Sequence, residues 1–355
     1  MKKINVLMIG PARSVKGGMT TVVDGYYDGG LNNKVNLKYI ETVNDKNAFS
    51  KIIKMIKGFF QFLFYVNKYD IIHVHMASRL STFRKGLYVR IANSKKKKII
   101  IHIHGAEYKI FYEQECNEKK KKYIRNTLKL ATKIIVLSEE WEDYFKTLVD
   151  KEKIIVLYNA IILPKDFKKN VNSNKILFLG RIGQRKGIYD LLVVFEKLIQ
   201  KHQDIKLYIG GDGEVEKLQK IIKEKRLNKN VEYIGWTSGK KKDQYLRESS
   251  IYILPSYNEG MPMSVLEGMA YKNITISTNV GGIPKVINNM KNGILLKPGD
   301  IKSMYKYINM ILEDDNLRKK LSINGRDTIE KNFNVNENIN TLIKIYIETL
   351  EMRGD

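Results

Sequence analysis

The alternation of short apolar runs, rich in β-branched residues, with longer stretches of helical periodicity is the feature that most constrains the fold of this chain. Six such runs fall in the first half and six in the second. This pattern is typical of βαβ units around a parallel sheet. We therefore predict an α/β protein. The predicted strands are residues 4–9, 36–39, 71–75, 98–104, 134–137 and 154–157, then 176–179, 207–210, 231–234, 251–254, 275–277 and 294–296.

A polar stretch at residues 164–174, rich in lysine and asparagine, interrupts the alternation and has no apolar periodicity. Such a break is typical of a linker. It divides the chain into two predicted Rossmann-like, doubly wound domains, residues 1–164 and 165–335. The predicted helices are residues 19–27, 49–65, 83–92 and 118–130, then 188–202, 214–224, 240–249, 262–270, 283–288, 301–313, 325–333 and 337–351.

The composition indicates an ordinary globular protein, with 43% hydrophobic and 28% charged residues. A single cysteine, Cys116, forms no intramolecular disulfide, and no zinc-like spacing occurs, so we expect a reducing, cytoplasmic setting. The apolar run at the start is too short for a signal peptide, and no stretch is long enough to span a bilayer. The formal charge of +25 predicts attraction to polyanions or anionic membranes, although a general drift towards lysine explains it equally well.

Two glycine turns follow predicted strands and lead into helices. The first contains Gly17 and Gly18, and the second contains Arg181 and Lys186. Glycines at such turns let backbone N–H groups approach a phosphate, and an arginine with a lysine suits a diphosphate. Neither turn has the dinucleotide or P-loop pattern. A bare turn and solvated surface cations remain alternative interpretations.

Two carboxylates in residues 255–270 give the sharpest signal. Glu259 lies in a loop after an apolar strand, and Glu267 lies about two turns into the helix that begins at Pro262. A carboxylate in the loop before a helix can accept hydrogen bonds from sugar hydroxyls, and one within the helix can accept from both hydroxyls of a ribose. The alternative is a pair of surface acids, but a carboxylate among the apolar neighbours of Glu267 needs a partner.

This segment resembles the E-x7-E motif of retaining glycosyltransferases with the GT-B fold, in particular family 4, which contains sucrose synthases and bacterial polysaccharide-assembling transferases. Residues 180–187 resemble the G-R-x4-K-G signature of that family, and residues 209–214 and 279–287 resemble two further glycine segments. The resemblance extends over most of the chain. It implies two domains facing across a cleft, with a C-terminal helix at residues 336–355 crossing back to the N-terminal domain.

The resemblance also implies roles for individual residues. Glu267 would hold the donor ribose and Glu259 the hydroxyls of the transferred sugar, while Arg181 and Lys186 would bind the diphosphate and stabilise the departing nucleotide. Gly17 and Gly18 would close over the diphosphate from the other domain. The remaining donor-binding residues are Gly235, near the base, and Gly260, Met261, Met263, Ser264 and Val265, which line the sugar and phosphate site through their backbone.

Four of the five histidines lie in two predicted strands, as His73 with His75 and His102 with His104. Alternation places each pair on one face of a sheet. A metal site is disfavoured, because no carboxylate partner is apparent and the resembling family needs no metal, so we expect neither a metal nor a cofactor. His104 ends its strand, where open α/β sheets present ligands. The resemblance implies that it contacts the donor sugar near the reacting carbon, and a core histidine is the alternative.

Three cations near the expected acceptor side, Arg79, Arg84 and Lys85, belong to a segment that resembles one in bacterial exopolysaccharide transferases. We predict that they contact a phosphate of a lipid-diphosphate-linked acceptor. Residues 49–68 mix lysines with aromatic side chains. This pattern suits an interfacial membrane contact, but a helix packed on the sheet explains the same residues and is slightly favoured.

The sequence therefore predicts a metal-independent, retaining glycosyltransferase that uses a UDP- or GDP-sugar. Its acceptor would be a saccharide, free or polyprenyl-diphosphate-linked, in bacterial surface polysaccharide synthesis at the inner face of the membrane. A GT-B epimerase or a sugar phosphorylase is the nearest alternative. A nucleic-acid-binding protein is compatible with the pI of 9.7, but the basic residues are scattered and no nucleic-acid motif occurs.

Overall fold

Two six-stranded sheets, parallel at every strand pair, form the framework of the chain. The computed structural model describes residues 3–165 and 167–352. Each sheet belongs to its own unit. The first unit is Met1–Ile162 with Val335–Asp355, and the second is Leu163–Asn334.

The sheet of the first unit has the strand order β2-β1-β3-β4-β5-β6. Its strands are β1 (Asn5–Gly10), β2 (Asn36–Glu41), β3 (Ile71–Met76), β4 (Lys98–Ile103), β5 (Lys133–Val136) and β6 (Ile154–Val156). Its helices are α1 (Gly18–Asp28), α2 (Leu31–Lys34), α3 (Ala48–Tyr65), α4 (Leu80–Ser94), α5 (Tyr108–Ile110), α6 (Glu118–Lys129), α7 (Glu139–Lys146) and α15 (Val335–Glu351). A π-helical turn, Phe111–Glu115, extends α5.

The sheet of the second unit has the strand order β12-β11-β10-β7-β8-β9. Its strands are β7 (Lys175–Leu179), β8 (Lys206–Gly210), β9 (Val231–Gly235), β10 (Ile251–Leu254), β11 (Ile274–Thr278) and β12 (Ile294–Leu296). Its helices are α8 (Ile188–Lys201), α9 (Val215–Glu224), α10 (Gly239–Glu248), α11 (Met263–Ala270), α12 (Ile283–Val286), α13 (Ile301–Glu313) and α14 (Asp315–Asn332).

The central strands are buried on both faces. Every residue of β3, β10 and β11 is buried, as expected for parallel sheets covered by helices on each side. These continuous apolar runs explain why every predicted strand is present within two residues of its predicted bounds. In the first unit β3 and β4 pair in register, with His75 opposite His102.

The last helix, α15, packs on the first unit although it follows the second in sequence. The backbone N–H of Val335 donates to the carbonyl of Ile161 at 3.0 Å. Further along, the Tyr346 hydroxyl lies 2.7 Å from Nδ1 of His73 on β3. The buried side of α15 therefore completes the core over the strands that carry the histidines.

The helical predictions miss the short helices α2, α5 and α7, and they begin α4 and α14 too late. Helix α14 begins at Asp315 rather than at residue 325, because the Asp314 side chain caps it and Arg318 is buried against the carbonyls of Ile311 and Leu312. Helix α7 is absent from the prediction, since its eight residues are too few to show a clear period. Ser138 caps it by accepting from the backbone N–H of Trp141.

Candidate active site

The second unit has a topological switch point between β7 and β10. From β7 the chain continues to β8 and β9 on one side of the sheet, while β10 lies on the other side. The loops that follow β7 and β10 therefore lead away in opposite directions, and ligands of open α/β sheets bind in the crevice between such loops. Arg181 and Lys186 lie in the first loop, and Glu259 lies in the second.

These two loops pack directly against each other. Gly187 has φ 69°, and a Cβ at this position would lie 2.0 Å from the carbonyl oxygen of Pro255. The backbone N–H of Tyr257 donates to the carbonyl of Arg185 at 2.8 Å, and the Arg185 guanidinium donates to the carbonyl of Asn258 at 2.9 Å. Glycine is required at 187 because any side chain would separate the loops.

Lys186 and Glu259 form an ion pair inside this junction. Their side chains are 14% and 5% exposed, so the pair is largely withdrawn from water. The Ser256 hydroxyl donates to the same oxygen of Glu259 at 2.6 Å. A buried carboxylate needs such partners. The structure thus brings together the residue predicted to bind the diphosphate and the residue predicted to bind the sugar.

Glu267 has a lysine partner that the sequence did not indicate. The ammonium of Lys242, on α10, lies 2.6 Å from the Glu267 carboxylate on α11. Both carboxylates lie close to Tyr252 of β10, whose hydroxyl donates to the carbonyl of Leu179. Burial is the main cause that raises the pKa of Tyr252, and the negative charges of Glu267 and Glu259 add to it. The charges of both carboxylates therefore act on the same buried phenol.

The glycine turns after β7 and β8 lie side by side. The backbone N–H of Ile182 donates to the carbonyl of Asp212 at 2.6 Å. A Cβ on Gly211, which has φ 156°, would lie 1.8 Å from the carbonyl oxygen of Gly180. Gly235, at the end of β9, accepts from the backbone N–H of Gly211 at 3.0 Å. Arg181, which is exposed, and Gly235 thus occupy the same edge of the sheet as Lys186 and Glu259.

The start of α11 is braced from the next loop. The helix begins at Met263, one residue later than predicted, and Pro262 is its N-cap. The backbone N–H of Gly282 donates to the carbonyl of Gly260 at 2.6 Å. The side chains of Met261, Met263 and Val265 are buried, so they pack rather than face a ligand, whereas Ser264 is partly exposed. The role predicted for these residues was a backbone role, and it stays a prediction.

In the first unit, the buried histidines of β3 and β4 form a stack with His104, which directly follows β4 and is partly exposed. His73 and His75 are stacked at 4.6 Å between ring centroids, and His102 and His104 lie 4.1 Å apart. Nδ1 of His75 lies 2.8 Å from Nε2 of His104. Burial lowers the pKa of His73 and of His104 to about 3, and it lowers those of His75 and His102 well below the ordinary value. The four rings are therefore neutral at pH 7.

By distance, His73, His75 and His102 are a candidate metal cluster, since their ligand atoms lie within 4.8 Å of one another. However, the ring of His73 is nearly parallel to those of His75 and His102, at 15° and 21°. A metal ion lies in the plane of each imidazole that binds it, and stacked parallel rings share no plane. The arrangement favours a neutral, hydrogen-bonded stack, which positions His104 at the end of its strand.

The three predicted acceptor-side cations have different environments. For Lys85 the prediction is wrong, because its side chain is 1% exposed and its ammonium donates to the carbonyl of His75 at 2.5 Å. The Arg79 guanidinium is neutralised by Glu107 and Glu115, each within 3 Å. Arg84 is partly buried, and its Nε has no hydrogen-bond partner among the described residues. The Arg84 Nε is itself buried, so a phosphate contact by Arg79 or Arg84 stays a prediction.

The glycine turn of the first unit is open. Gly17 is the N-cap of α1 with φ 150°, and nothing lies within 4 Å of the position that a Cβ would take. Its carbonyl accepts from the hydroxyls of Thr20 and Thr21. Gly18 is the exposed first residue of the helix. The turn therefore leaves space at a helix start, which the predicted diphosphate contact requires.

The two parallel six-stranded sheets, each in its own unit, define the fold of this protein as the GT-B fold. The family model described as Glycosyl transferases group 1 matches residues 159–328, and the model described as Glycosyltransferase Family 4 matches residues 33–163. The chain is thus a family 4-like glycosyltransferase, as the motifs predicted.

Known proteins resemble the chain over nearly its whole length. An uncharacterized 41.2 kDa protein in the cps region of Klebsiella pneumoniae is 27% identical over 376 residues, covering 97% of this chain and 99% of that protein. The UDP-Gal:alpha-D-GlcNAc-diphosphoundecaprenol alpha-1,3-galactosyltransferase of Escherichia coli is 26% identical over 337 residues, covering 87% and 81%. Sucrose-phosphate synthase of Thermosynechococcus elongatus shares the fold, with a TM-score of 0.80, 17% identity and coverage of 98% and 99%.

Proposed function

We propose that this protein is a retaining, metal-independent glycosyltransferase of bacterial surface polysaccharide synthesis. It transfers a sugar from a UDP-sugar to a saccharide linked to a polyprenyl diphosphate, in the cytoplasm at the inner face of the membrane. The Escherichia coli relative whose name states a UDP-Gal donor and a diphosphoundecaprenol acceptor supports this choice of substrates. The cps-region relative supports the pathway. No nucleic acid takes part.

One observation carries the proposal: two carboxylate–lysine pairs, Glu259 with Lys186 and Glu267 with Lys242, place their carboxylates in the loop after β10 and on the helix α11 that follows it, at the switch point of the second unit. A nucleoside diphosphate sugar offers two negative phosphates and two sets of hydroxyls. Lys186 complements the phosphates, Lys242 orients Glu267, and the two carboxylates accept hydrogen bonds from the hydroxyls. The site supplies both kinds of group in neighbouring loops.

Donor binding is then an exchange of partners. The diphosphate draws Lys186 from Glu259, with Arg181 as the second cation, and the freed carboxylate accepts from hydroxyls of the transferred sugar. Glu267 holds the ribose. In the reaction the bond between the anomeric carbon and the diphosphate oxygen breaks, while the acceptor oxygen forms its bond on the same face. The acceptor proton passes to the departing phosphate oxygen, and the cations stabilise the charge that develops there.

Calorimetric titration with UDP, GDP and ADP tests the donor site. We expect UDP to bind most tightly, and Glu267→Ala to weaken UDP binding by about 10- to 100-fold, the usual value of hydrogen bonds to a charged group. The matched control is Glu248→Ala, which removes a Lys175–Glu248 ion pair at the opposite end of β7. Equal losses in the two variants, or no loss in Glu267→Ala, would contradict the assignment.

Product analysis tests the reaction. With a UDP-sugar and a lipid-diphosphate-linked saccharide, we expect NMR of the product to show the same anomeric configuration as the donor. An inverted product would refute the retaining mechanism. Omission of the acceptor should stop sugar release beyond slow hydrolysis. A donor sugar that changes its stereochemistry without an acceptor would indicate an epimerase instead.

A further inference from the structure

Helix α3 carries an unusual concentration of exposed apolar side chains. Among the described residues, seventeen large apolar side chains are exposed, and eight of them lie on this one helix. Phe49 and Phe60 are 74% and 64% exposed. The eight residues are Phe49, Ile52, Ile53, Met55, Ile56, Phe60, Leu63 and Phe64. Isolated exposed apolar residues are ordinary, but a contiguous group marks an interaction surface.

Seven of these residues form a single stripe. Relative to Phe49 they follow at the helical spacings 3, 4, 7, 11, 14 and 15, which places them within a face of roughly 120° at 100° per residue. Met55 alone lies outside it. A stripe of this width is what a helix normally turns towards a protein core, and here it faces solvent. We call the seven residues the α3 stripe.

The helix meets its own core through a different face. A Cβ on Gly58 would lie 2.5 Å from the backbone carbonyl oxygen of Glu41, so α3 lies directly on β2 at this glycine. Phe62 is fully buried and packs edge-on against Tyr88 of α4 at 4.9 Å. Gly58 and Phe62 lie on the side of the helix opposite the α3 stripe. Packing on the sheet therefore explains these residues and not the exposed phenylalanines.

The charges around the α3 stripe indicate an anionic partner. Residues 46–106 contain thirteen lysines and arginines and one acidic residue, Asp70; of the cations, Lys85 is buried, Arg79 is paired with two glutamates and Lys54 is paired with Glu41. Lys57 borders the stripe and is exposed, and the ammonium of Lys68 lies 3.9 Å from the centre of the Phe64 ring. Lysines that extend beside apolar side chains keep their charge at a polar boundary. Such a rim repels a second copy of itself, which disfavours a symmetric dimer through this face.

We infer that the α3 stripe is a membrane-docking surface, which enters the headgroup region of an anionic bilayer with α3 parallel to the membrane plane. Apolar and aromatic residues on one face with lysines at its border are the properties of interfacial helices. None of the described helices combines the length and the apolar character that a bilayer span requires. The first unit would rest on the lipid through one helix.

The start of α3 lies at the functional edge of its sheet. Helices in βαβ units begin near the carboxyl ends of the strands, so Phe49 lies at the same edge as His104 and Leu80, which is 79% exposed. If the acceptor is lipid-linked, as the proposed function states, its diphosphate would leave the membrane beside this edge. This consequence rests on the proposed function, whereas docking itself does not.

Flotation with vesicles tests the inference. We expect the wild-type protein to float with phosphatidylglycerol-containing vesicles and to remain mostly unbound with phosphatidylcholine alone, with high salt weakening the binding only in part. The double variant Ile56→Ser/Phe60→Ser should bind at least about tenfold less, since two exposed apolar anchors are lost. The control Ile323→Ser/Ile347→Ser removes two exposed isoleucines outside α3 and should bind within about twofold of wild type.

Failure of docking is distinguishable from failure of the proposed function. UDP titration of the Ile56→Ser/Phe60→Ser variant should give the wild-type affinity, and urea denaturation followed by the fluorescence of Trp141 should show that its first unit is folded. If the wild-type protein does not float, or if the control loses binding as much as the variant, the docking surface is refuted while the donor assignment stands. Light scattering gives the oligomeric state. If the wild type and the Ile323→Ser/Ile347→Ser control are dimers and the Ile56→Ser/Phe60→Ser variant is a monomer, the α3 stripe binds a second copy and the inference is also refuted.

Discussion

Acidification should destabilise the first unit through its four stacked histidines. His73 and His104 have pKa values of about 3 in the folded protein, whereas an unfolded histidine has a pKa near 6.5. Between these two values the unfolded chain binds more protons than the folded one. Stability is therefore full above about pH 6.5 and falls as the pH is lowered towards 3. His75 and His102 act in the same direction.

The size of the effect follows from proton linkage. Each histidine that stays neutral in the folded state lowers the free energy of unfolding by about 1.4 kcal/mol per pH unit below its unfolded pKa. From pH 7.5 to 5.5 this amounts to about 1.4 kcal/mol for each ring. His73 and His104, whose pKa values are both about 3, should together lower the free energy of unfolding by about 3 kcal/mol over this pH range. This is a large part of the stability of a typical domain.

The two tryptophans allow the first unit to be observed by itself. Trp141 lies on α7 of the first unit, and Trp236 follows β9 of the second. In a Trp236→Phe background, urea denaturation followed by fluorescence reports the unfolding of the first unit between pH 5 and 8. The same series is measured with His73→Asn, whose amide can accept from or donate to the Tyr346 hydroxyl. The difference between the two series gives the contribution of the His73 ring to the pH dependence of the unfolding free energy.

We expect the plot of unfolding free energy against pH to be less steep in His73→Asn by about 1.4 kcal/mol per unit below pH 6.5. The overall stability of the variant is not the readout, so a general loss of packing does not imitate the result. Equal slopes in the two proteins would show that His73 binds protons as readily in the folded protein as in the unfolded chain. That outcome would refute the description of the stack as neutral.

Three further predictions concern the second unit and the reaction. Gly187→Ala should destabilise the protein by about 2–4 kcal/mol in urea denaturation, because its Cβ would meet the Pro255 carbonyl, whereas Gly239→Ala, also left-handed but with open space, should cost only about 1–2 kcal/mol. If the two variants lost the same unfolding free energy, the left-handed backbone alone would account for the loss and the contact with Pro255 would not contribute. Lys242→Ala should weaken UDP binding by about three- to tenfold and Lys242→Arg should restore it, because the cation orients Glu267; unchanged binding in Lys242→Ala would exclude that role. Treatment with EDTA should leave the transfer rate unchanged, and a loss restored by Mg²⁺ would contradict metal independence.

The strands were predictable because most are apolar runs buried on both faces. Such a run can be recognised from its own residues, without knowing which strands pair with it. The motif loops were predictable for a related reason. Glycines at left-handed or closely packed positions, such as Gly187 and Gly211, appear in the sequence because no other residue fits there.

The partners of the site residues were less accessible. Glu259 pairs with a lysine 73 residues away, and Glu267 pairs with one 25 residues away. In a chain with 63 lysines and arginines, no local pattern distinguishes Lys242 from its neighbours. Lys85 shows the opposite error, because its charge indicated a surface position and only tertiary packing reveals the carbonyl that accepts from it.

The orientation of α3 was also hidden by its periodicity. Apolar residues occur on both sides of this helix, so a hydrophobic period identifies a helix without telling which side faces the sheet. The signal that was available is Gly58, since a glycine in the middle of a helix often marks the close approach of another backbone. The exposed face follows from that glycine by geometry.

The return of α15 to the first unit has a consequence for synthesis on the ribosome. The second unit, Leu163–Asn334, is continuous and can complete its fold as soon as it has left the exit tunnel. The first unit emerges earlier, yet His73 gains its tyrosine partner only after some 270 further residues have been translated. The half of the enzyme that is made first is therefore finished last, and its histidine strands stay uncovered on one side throughout elongation.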